Sequence, residues 1–335
     1  MRRCVAACLV VFLVAACGGS GTPDLPLTRG TDGVPTSPPV TTGPSTTAAP
    51  ATTAPPTTAG PPPVDAAARA VVTPAGVVLP VNGVGADGYT VQTPCGNTAT
   101  VTGRPITSAQ IVLDPGHGGS ERGAVGPNGL TEGEVNLAIA EEAKSILESA
   151  GHTVVLTRTA DYRIALRTRA QIATNLAPLA FVSIHHNAEP DGPWPGPGSE
   201  TYYQIASPDS KRLAGLLWEE VVAAFAPFGA SWQADTDAGA KYRLASSGGD
   251  YYGILRRTAG VAAVLSEAAF ISNPSEEAML ATPAFRRAEA QAIATAVTRF
   301  VSTDDPGSGF TEPYPRTEPA GPGGGVEGCV DPEFG

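Results

Sequence analysis

Strands and helices alternate along residues 109–303, and this pattern limits the fold more than any other feature of the chain. Short apolar runs predict buried strands, and longer segments with apolar residues at helical spacing predict helices. The predicted strands are 111–113, 153–157, 181–184 and 261–265, and the predicted helices are 134–150, 165–176, 210–224 and 283–301. Such alternation predicts one α/β domain built on an open, mostly parallel twisted sheet with helices on both faces.

The segments that flank this domain are rich in residues that do not form a core. The 335-residue chain contains 39 glycines and 33 prolines. Residues 17–68 are mostly Thr, Pro, Ala and Gly, a composition typical of a disordered, extended linker. Residues 69–108 alternate apolar and polar residues around turn signals, which predicts a short β-rich preamble, such as a hairpin packed on the main domain. Residues 304–335 form a Gly- and Pro-rich tail with no predicted helix or strand.

Residues 1–16 have the layout of a secretory signal. Arg2 and Arg3 precede an apolar run that is too short to span a bilayer comfortably. The run ends in small residues before Cys17, which resembles a bacterial lipobox and implies cleavage before Cys17 and acylation of its thiol. Ordinary signal cleavage with an incidental cysteine is the alternative. We therefore expect an extracytoplasmic protein that a lipid anchor holds on the cell membrane.

Cysteine usage agrees with export. Cys4 and Cys8 would leave with the signal and Cys17 would carry the lipid, so Cys95 and Cys329 remain as a pair in an oxidising compartment. We therefore expect a Cys95–Cys329 disulfide that ties the preamble to the tail. Two free thiols are the alternative.

The charge of the chain excludes some partners. The formal net charge is −11, and no stripe of Lys and Arg is present to bind phosphates. This argues against nucleic acid and against electrostatic docking on an anionic membrane surface. We expect a monomer.

Three candidate metal ligands stand at the ends of predicted elements. His117 and His185 follow the first and third predicted strands, and Glu132 precedes the first predicted helix. Ligands of open α/β sheets bind beyond the carboxyl ends of the strands. Two imidazoles and one carboxylate form the ligand set of a catalytic zinc site, with a fourth position left for water. A structural role for the histidines is the alternative that spacing alone leaves open.

A fourth candidate, Glu267, follows the last predicted strand among apolar residues. A carboxylate in such surroundings is costly unless it is paired or functional. Burial would raise its pKa toward the range of a general base. The alternative is a structural salt bridge to Arg256 or Arg257.

Four motifs, in this order, resemble those of the zinc-dependent N-acetylmuramoyl-L-alanine amidases of the type-3 class. They are residues 111–119, 129–132 with 135–138, 183–188, and 265–267 with 270–273. The resemblance covers residues 109–301 and implies a sheet of about six strands surrounded by helices. It implies one zinc ion on His117, Glu132 and His185, with Glu267 as the catalytic carboxylate. It also implies cleavage of the amide between the lactyl group of N-acetylmuramic acid and the L-alanine of peptidoglycan stem peptides, in cell wall remodelling.

The chain departs from the family pattern at several positions. Gly133 stands where Lys is usual, and His186 stands where a small residue is usual. Ala268 and Ala269 follow the catalytic Glu where Thr or Cys and then Gly are common. None of these removes a ligand, so we expect them to affect substrate preference more than activity.

Weaker candidates lie near the site. His186 faces away from His185 in an extended strand, which favours His185 as the ligand. His186 and Glu200 are candidate substrate-binding residues, and a solvated strand charge is the alternative for Glu200. Arg158 and Arg169 occupy family-like positions, either as functional residues or as structural ion pairs.

Two other functions remain open from the sequence. A zinc carboxypeptidase-like peptidase acting on wall peptides would use the same metal set, but would need a group that receives a terminal carboxylate. A non-catalytic peptidoglycan-binding lipoprotein would lack a ligand or the catalytic Glu, and both are present. The segment 225–260 is a candidate autoinhibitory element.

Overall fold

The computed structural model describes residues 64–189, 198–229, 238–313 and 325–335. The predicted signal, the lipobox with Cys17 and nearly all of the predicted linker lie outside these residues. Among the described residues, no helix is long and apolar enough to span a bilayer.

A six-stranded sheet forms the centre of the main domain. Its strands are β6 (Ile111–Pro115), β7 (Val154–Leu156), β8 (Ala180–Asn187), β9 (Glu200–Tyr203), β10 (Gly239–Lys241) and β11 (Ala263–Phe270). Their order across the sheet is β10-β9-β11-β8-β6-β7. All neighbours pair in parallel except β9 and β11, which are antiparallel. The predicted open, mostly parallel sheet is therefore confirmed.

Helices cover both faces of this sheet, as predicted. They are α1 (Glu132–Ser149), α2 (Leu166–Leu176), α3 (Pro208–Phe225), α4 (Gly253–Arg257), α5 (Pro274–Leu280) and α6 (Pro283–Ser302). One apolar layer joins the sheet to α1, α3 and α6. The other joins it to α2 and α4. The short elements β10, α4 and α5 were not predicted, because three to seven residues carry too little periodicity.

The preamble is larger than the expected hairpin. It forms a five-stranded antiparallel sheet of order β4-β3-β2-β1-β5. The strands are β1 (Ala70–Val72), β2 (Val78–Gly85), β3 (Gly88–Gln92), β4 (Thr98–Val101) and β5 (Arg104–Ile106). Val71 and Leu79 pack with Ile172 of α2 in the second apolar layer, where they are removed from water. A lone hairpin is marginally stable, and the extra strands together with this packing on a helix provide the missing stability.

The described part of the tail is fastened to the preamble. The predicted disulfide is confirmed, because Cys95 and Cys329 are bonded. The Asp331 carboxylate accepts hydrogen bonds from the backbone N–H of Cys95 at 2.7 Å and from the Thr93 hydroxyl at 2.8 Å. Residues 304–313 and 325–335 contain no helix or extended strand, as expected.

Strand alternation decides which side chains reach the site. In β8, Val182 and Ile184 enter the layer of α1, α3 and α6, whereas Phe181 enters the opposite layer. Because successive side chains point to opposite faces, His185 projects on the face of Phe181 and His186 on the other.

Candidate active site

His117, Glu132 and His185 converge at the carboxyl ends of β6 and β8. One possible ligand atom from each residue lies within 4.8 Å of the others. His117 Nε2 lies 3.0 Å from Glu132 Oε2, and His185 Nδ1 lies 3.0 Å from Glu132 Oε1 and 3.1 Å from His117 Nε2. Tetrahedral zinc with bonds near 2.1 Å would separate its ligand atoms by about 3.4 Å. The donor types and their spacing therefore fit a zinc ion.

The three side chains differ in their exposure. About a fifth of each imidazole is accessible, at 20% for His117 and 18% for His185, whereas Glu132 is 5% exposed. A small molecule therefore approaches the cluster from the imidazole side. The carboxylate is held behind, where its Oε2 also accepts from the N–H of Ala124 at 2.9 Å.

Glycines make room for the side chains of the candidate ligands. A Cβ at Gly116 would lie 2.2 Å from Cε1 of His185, and a Cβ at Gly123 would lie 2.4 Å from Oε2 of Glu132. His117 itself has a φ of 60°, a backbone conformation that is uncommon for residues other than glycine. The neighbouring backbone therefore has to hold this turn.

Arg158 supplies part of that support. Its guanidinium is buried and donates to the carbonyl oxygens of Pro115 at 2.9 Å, Gly116 at 3.0 Å and Gly133 at 2.6 Å. These bonds tie the loop before His117 to the first turn of α1. Of the two roles considered for this arginine, the structural one describes its contacts, although the partners are carbonyl groups rather than an acid.

Arg169 completes the support through a buried ion pair. Its Nη1 lies 2.7 Å from Oδ1 of Asp114, and its Nη2 donates to the carbonyl oxygen of His117 at 2.6 Å. Asp114 also accepts from the hydroxyls of Thr157 and Ser183. Burial opposes the charged form of Asp114, but the Arg169 charge and these hydrogen bonds outweigh it and lower its pKa.

Glu121 is a site residue that the sequence analysis missed. Its Oε1 lies 3.0 Å from Nδ1 of His117. A carboxylate on the outer nitrogen fixes the tautomer of a metal-binding histidine and turns its other nitrogen toward the metal. The signal was available in the sequence, because Glu121 follows His117 by four residues in the same glycine-rich loop.

The electrostatics of the cluster favour a cation. Burial alone would lower the pKa of His117, but the carboxylates of Glu132 and Glu121 raise it to about 10. Burial opposes the charged form of Glu132, but the two imidazoles hold its pKa well below the ordinary range. For His185, burial and the charge of His117 lower the pKa. Protons and a metal ion would therefore compete for these ligands.

Glu267 lies beside the cluster on β11. It pairs in register with His185 on the parallel neighbour β8 and with Glu200 on the antiparallel neighbour β9. Side chains at the same register of adjacent strands project from the same face, so Glu267 projects from the same face of the sheet as His185. Arg256 and Arg257, the alternative partners of Glu267, donate to backbone carbonyls of their own segment.

A pocket of about 150 Å³ opens next to the two histidines. Its apolar wall contains Ile164, Leu166, Ile254 and Leu265. Tyr252 and Gly253 also line it, so part of the segment 225–260 belongs to the pocket wall. Burial raises the pKa of Tyr252, and the charge of Glu267 adds to this. The phenol therefore stays protonated and can donate a hydrogen bond.

Comparison with known proteins decides the family. A sequence profile described as N-acetylmuramoyl-L-alanine amidase matches residues 111–299, more than half of the chain. The chain belongs to this amidase family. The resemblance drawn from the four motifs is thereby confirmed.

Relatives and solved structures agree with this assignment. The chain is 33% identical to the N-acetylmuramoyl-L-alanine amidase LytC of Bacillus subtilis, over 59% of this chain and 38% of LytC. It is 31% identical to the amidase AmiA of Escherichia coli, over 56% of this chain and 74% of AmiA. The crystal structure of an N-acetylmuramoyl-L-alanine amidase from Clostridium difficile 630 is 28% identical and superposes with a TM-score of 0.51, over 59% of this chain and 98% of that one.

Coverage of the relatives is partial. The chain spans 38% of LytC and 53% of the amidase AmiC of Neisseria meningitidis. The amidase part of this chain is therefore comparable with a portion of those proteins.

One departure from the family pattern has a steric reason. Where Lys is usual, Gly133 packs against the loop that follows His117. A Cβ there would lie 3.2 Å from the carbonyl oxygen of Arg122 and 3.2 Å from the amide nitrogen of Gly118. Both are tight contacts with backbone, so this version of the amidase loop favours glycine.

Glu200 has a different environment from either of the two expected. Its side chain is fully buried, so a solvated strand charge is wrong. It forms an ion pair with Lys241 at 2.5 Å and accepts from the Tyr202 hydroxyl at 3.2 Å. A contact with substrate stays a prediction, and it would have to reach a carboxylate that already carries these partners.

His186 also lies apart from the substrate side. Its imidazole is fully buried on the face opposite His185, as the alternation of the strand predicted. The expected contact with substrate does not fit this position, because the ring contacts Asn136 of α1 and Glu289 of α6 on the face of the sheet that is turned away from the pocket.

Proposed function

We propose that this protein hydrolyses the amide between the lactyl group of N-acetylmuramic acid and the L-alanine of peptidoglycan stem peptides, with one zinc ion on His117, Glu132 and His185. One observation carries the proposal. Two imidazoles and a carboxylate converge within 4.8 Å at the edge of a sheet where Glu267 stands in register with His185.

Zinc held by these residues would lower the pKa of a water molecule and polarise the scissile carbonyl group. Glu267 would accept a proton from the attacking water and pass it to the leaving amine of L-alanine. Glu121 would keep His117 in the tautomer that presents Nε2, at the 3.0 Å contact that its Oε1 makes with Nδ1.

The pocket supports a small, mainly apolar group at the scissile bond. Its volume of about 150 Å³ is far below that of a disaccharide with its stem peptide. The Ile164, Leu166 and Leu265 side chains would receive the methyl groups of the lactyl unit or of L-alanine, and the rest of the polymer would lie outside. Tyr252 lies on the same wall.

The two alternatives have less support. A carboxypeptidase-like enzyme needs a cation for a terminal carboxylate, and Arg169, the arginine on the pocket wall, is occupied by Asp114 and by backbone carbonyls. A non-catalytic binding lipoprotein would lack a ligand or the catalytic Glu, and this chain has all four.

The placement of the enzyme is a further part of the proposal. Residues 1–16 would act as a signal ending at the lipobox, Cys17 would carry the lipid anchor, and residues 17–68 would let the domain 109–303 extend from the membrane toward the wall. The Cys95–Cys329 disulfide supports an oxidising, extracytoplasmic compartment.

A digest of purified muropeptides, with and without a chelator and read by mass spectrometry, tests this function. We expect free stem peptides that begin with L-alanine, and no products in the presence of the chelator. Release of a single C-terminal amino acid would identify a peptidase instead. Absence of any cleavage by the zinc-loaded protein would favour a binding protein.

A further inference from the structure

Behind the metal cluster, on the opposite face of the sheet, three buried polar side chains form a connected group. His186 Nδ1 lies 2.8 Å from Oδ1 of Asn136 on α1, and His186 Nε2 lies 3.1 Å from Oε2 of Glu289 on α6. The accessible surface of all three side chains is essentially zero. We call His186, Asn136 and Glu289 the rear clamp.

The rear clamp contacts the groups that carry the ligands. The backbone N–H of His186 donates to Oε1 of Glu132 at 3.1 Å, and Asn136 Nδ2 lies 3.5 Å from the same oxygen. Asn136 Nδ2 also lies 3.3 Å from the carbonyl oxygen of Gly116, the residue before His117. His186 itself follows His185 in the chain. The clamp therefore adjoins all three proposed ligands.

Burying these groups is costly for the fold. A carboxylate in the interior requires a partner, and the Oε1 atom of Glu289 accepts no hydrogen bond from the residues that the structure describes. Replacing a buried charged pair by apolar side chains is often neutral or stabilising. Packing alone therefore does not account for a histidine and a glutamate at these positions.

We propose that the rear clamp holds Glu132 and the end of β8 in the arrangement that binds the metal ion. Its members are positioning residues, because they touch the ligands or their backbone and not the substrate. Asn136 stands one turn after Glu132 on α1, so fastening His186 to Asn136 fixes the spacing between the two elements that supply Glu132 and His185. Such outer contacts preorganise a metal site.

The inference rests on the proposed metal site and is tested by zinc affinity, measured as a titration of Zn²⁺ against a chromogenic chelator. His186→Ala removes the clamp and leaves Glu289 buried without its partner. The double variant His186→Ala with Glu289→Leu also removes the clamp, but it restores an apolar interior. Val297→Ala, at a buried position of the same helix α6, is the control for a general loss of stability.

We expect both clamp variants to bind zinc at least about tenfold more weakly than the wild type. We also expect the absorption spectrum of the cobalt-substituted double variant to differ from that of the wild type. The double variant should resist urea better than His186→Ala, so its weaker zinc binding would not follow from a weaker fold. Val297→Ala should keep its zinc affinity within about twofold despite a lower urea midpoint.

Wild-type affinity and an unchanged cobalt spectrum in the double variant would overturn the clamp while leaving the metal site intact. If the wild-type protein itself bound no zinc, the proposed metal site would be wrong, and the clamp with it.

Discussion

Glu267 and His185 occupy the same register on neighbouring parallel strands, and their side chains project from the same face of the sheet. The strand that carries the proposed metal ligand His185 thus lies beside the strand that carries the proposed base. Neither residue depends on a mobile lid for this placement, because both belong to the central sheet. The proposed proton transfer and the proposed metal binding would therefore involve side chains on separate strands.

Replacing the proposed base, Glu267, should lower activity without destabilising the fold. We expect Glu267→Gln to lower kcat on muropeptides by about 10²- to 10⁴-fold, because the amide cannot accept the proton. Zinc content and the urea midpoint should stay close to those of the wild type. Glu141→Gln, an exposed position on α1, is the matched control and should keep full activity. Activity of the Glu267 variant within tenfold of the wild type would remove this role.

A methyl group at Gly116 should disturb the cluster directly. In Gly116→Ala the new Cβ would lie 2.2 Å from the ring of His185, which must therefore move away from its position beside Glu132. We expect zinc affinity to fall by about tenfold or more. Gly249→Ala, where a Cβ meets nothing within 4 Å, is the control and should bind zinc normally. Equal affinities in the two variants would contradict the geometry of the site.

The Asp114–Arg169 pair should make stability depend on pH in acid. The pKa of Asp114 is lowered from 3.8 in the folded protein. The contribution of Asp114 to the free energy of unfolding is therefore complete at pH values above its pKa in the unfolded chain. It is lost as the pH falls through the lower pKa of the folded protein. At pH 7, Asp114→Asn should reduce the free energy of unfolding by about 3 kcal/mol, since Arg169 stays buried without its partner.

Urea titrations of both proteins at a series of pH values check this prediction. The difference between wild type and Asp114→Asn should be constant near neutrality and should shrink below pH 3.8, as far down as the wild type remains folded. If the difference in the free energy of unfolding between the two proteins grew as the pH fell, it would contradict this role of the Asp114–Arg169 pair.

Loss of the disulfide should weaken the fold. The Cys95–Cys329 bond closes a loop of 234 residues, and such a bond typically stabilises a protein by about 3 kcal/mol by restricting the unfolded chain. We expect the double Ser variant to unfold at correspondingly lower urea. A reductant should shift the wild type to the same midpoint and leave the variant unchanged. Equal midpoints for the oxidised wild type and the variant would show that the bond adds nothing.

Much of the site was predictable because strand ends converge. Once His117 and His185 were placed after parallel strands, their proximity followed from the topology, and the period of two predicted that His186 faces away. Glu267 was found because a carboxylate interrupts an apolar run. These predictions used the local pattern of apolar and polar residues, together with the rule that ligands of an open α/β sheet bind beyond the carboxyl ends of its strands.

Contacts between distant backbone and side-chain groups were not predictable. Arg158 donates to the carbonyl oxygen of Pro115 across 43 positions, and Lys241 neutralises Glu200 across 41. The position of Arg158 in the sequence does not indicate its partner, since every residue has a backbone carbonyl. The spacing of Lys241 and Glu200 does not indicate their pairing either. The number of strands in the preamble was predicted too low for a similar reason. Strands β1 and β5 each contain three residues, which is too few to show a strand pattern, and they are recognised as strands only by their pairing.

The zinc content of the purified protein and of its histidine variants tests the central claim most directly. After incubation with Zn²⁺ and removal of the excess, the wild type should retain one zinc ion per chain, as should His152→Ala, whose histidine lies outside the cluster. His117→Ala and His185→Ala should retain little or none. Retention of zinc by both ligand variants at the wild-type level, or its absence from the wild type, would contradict the proposed site.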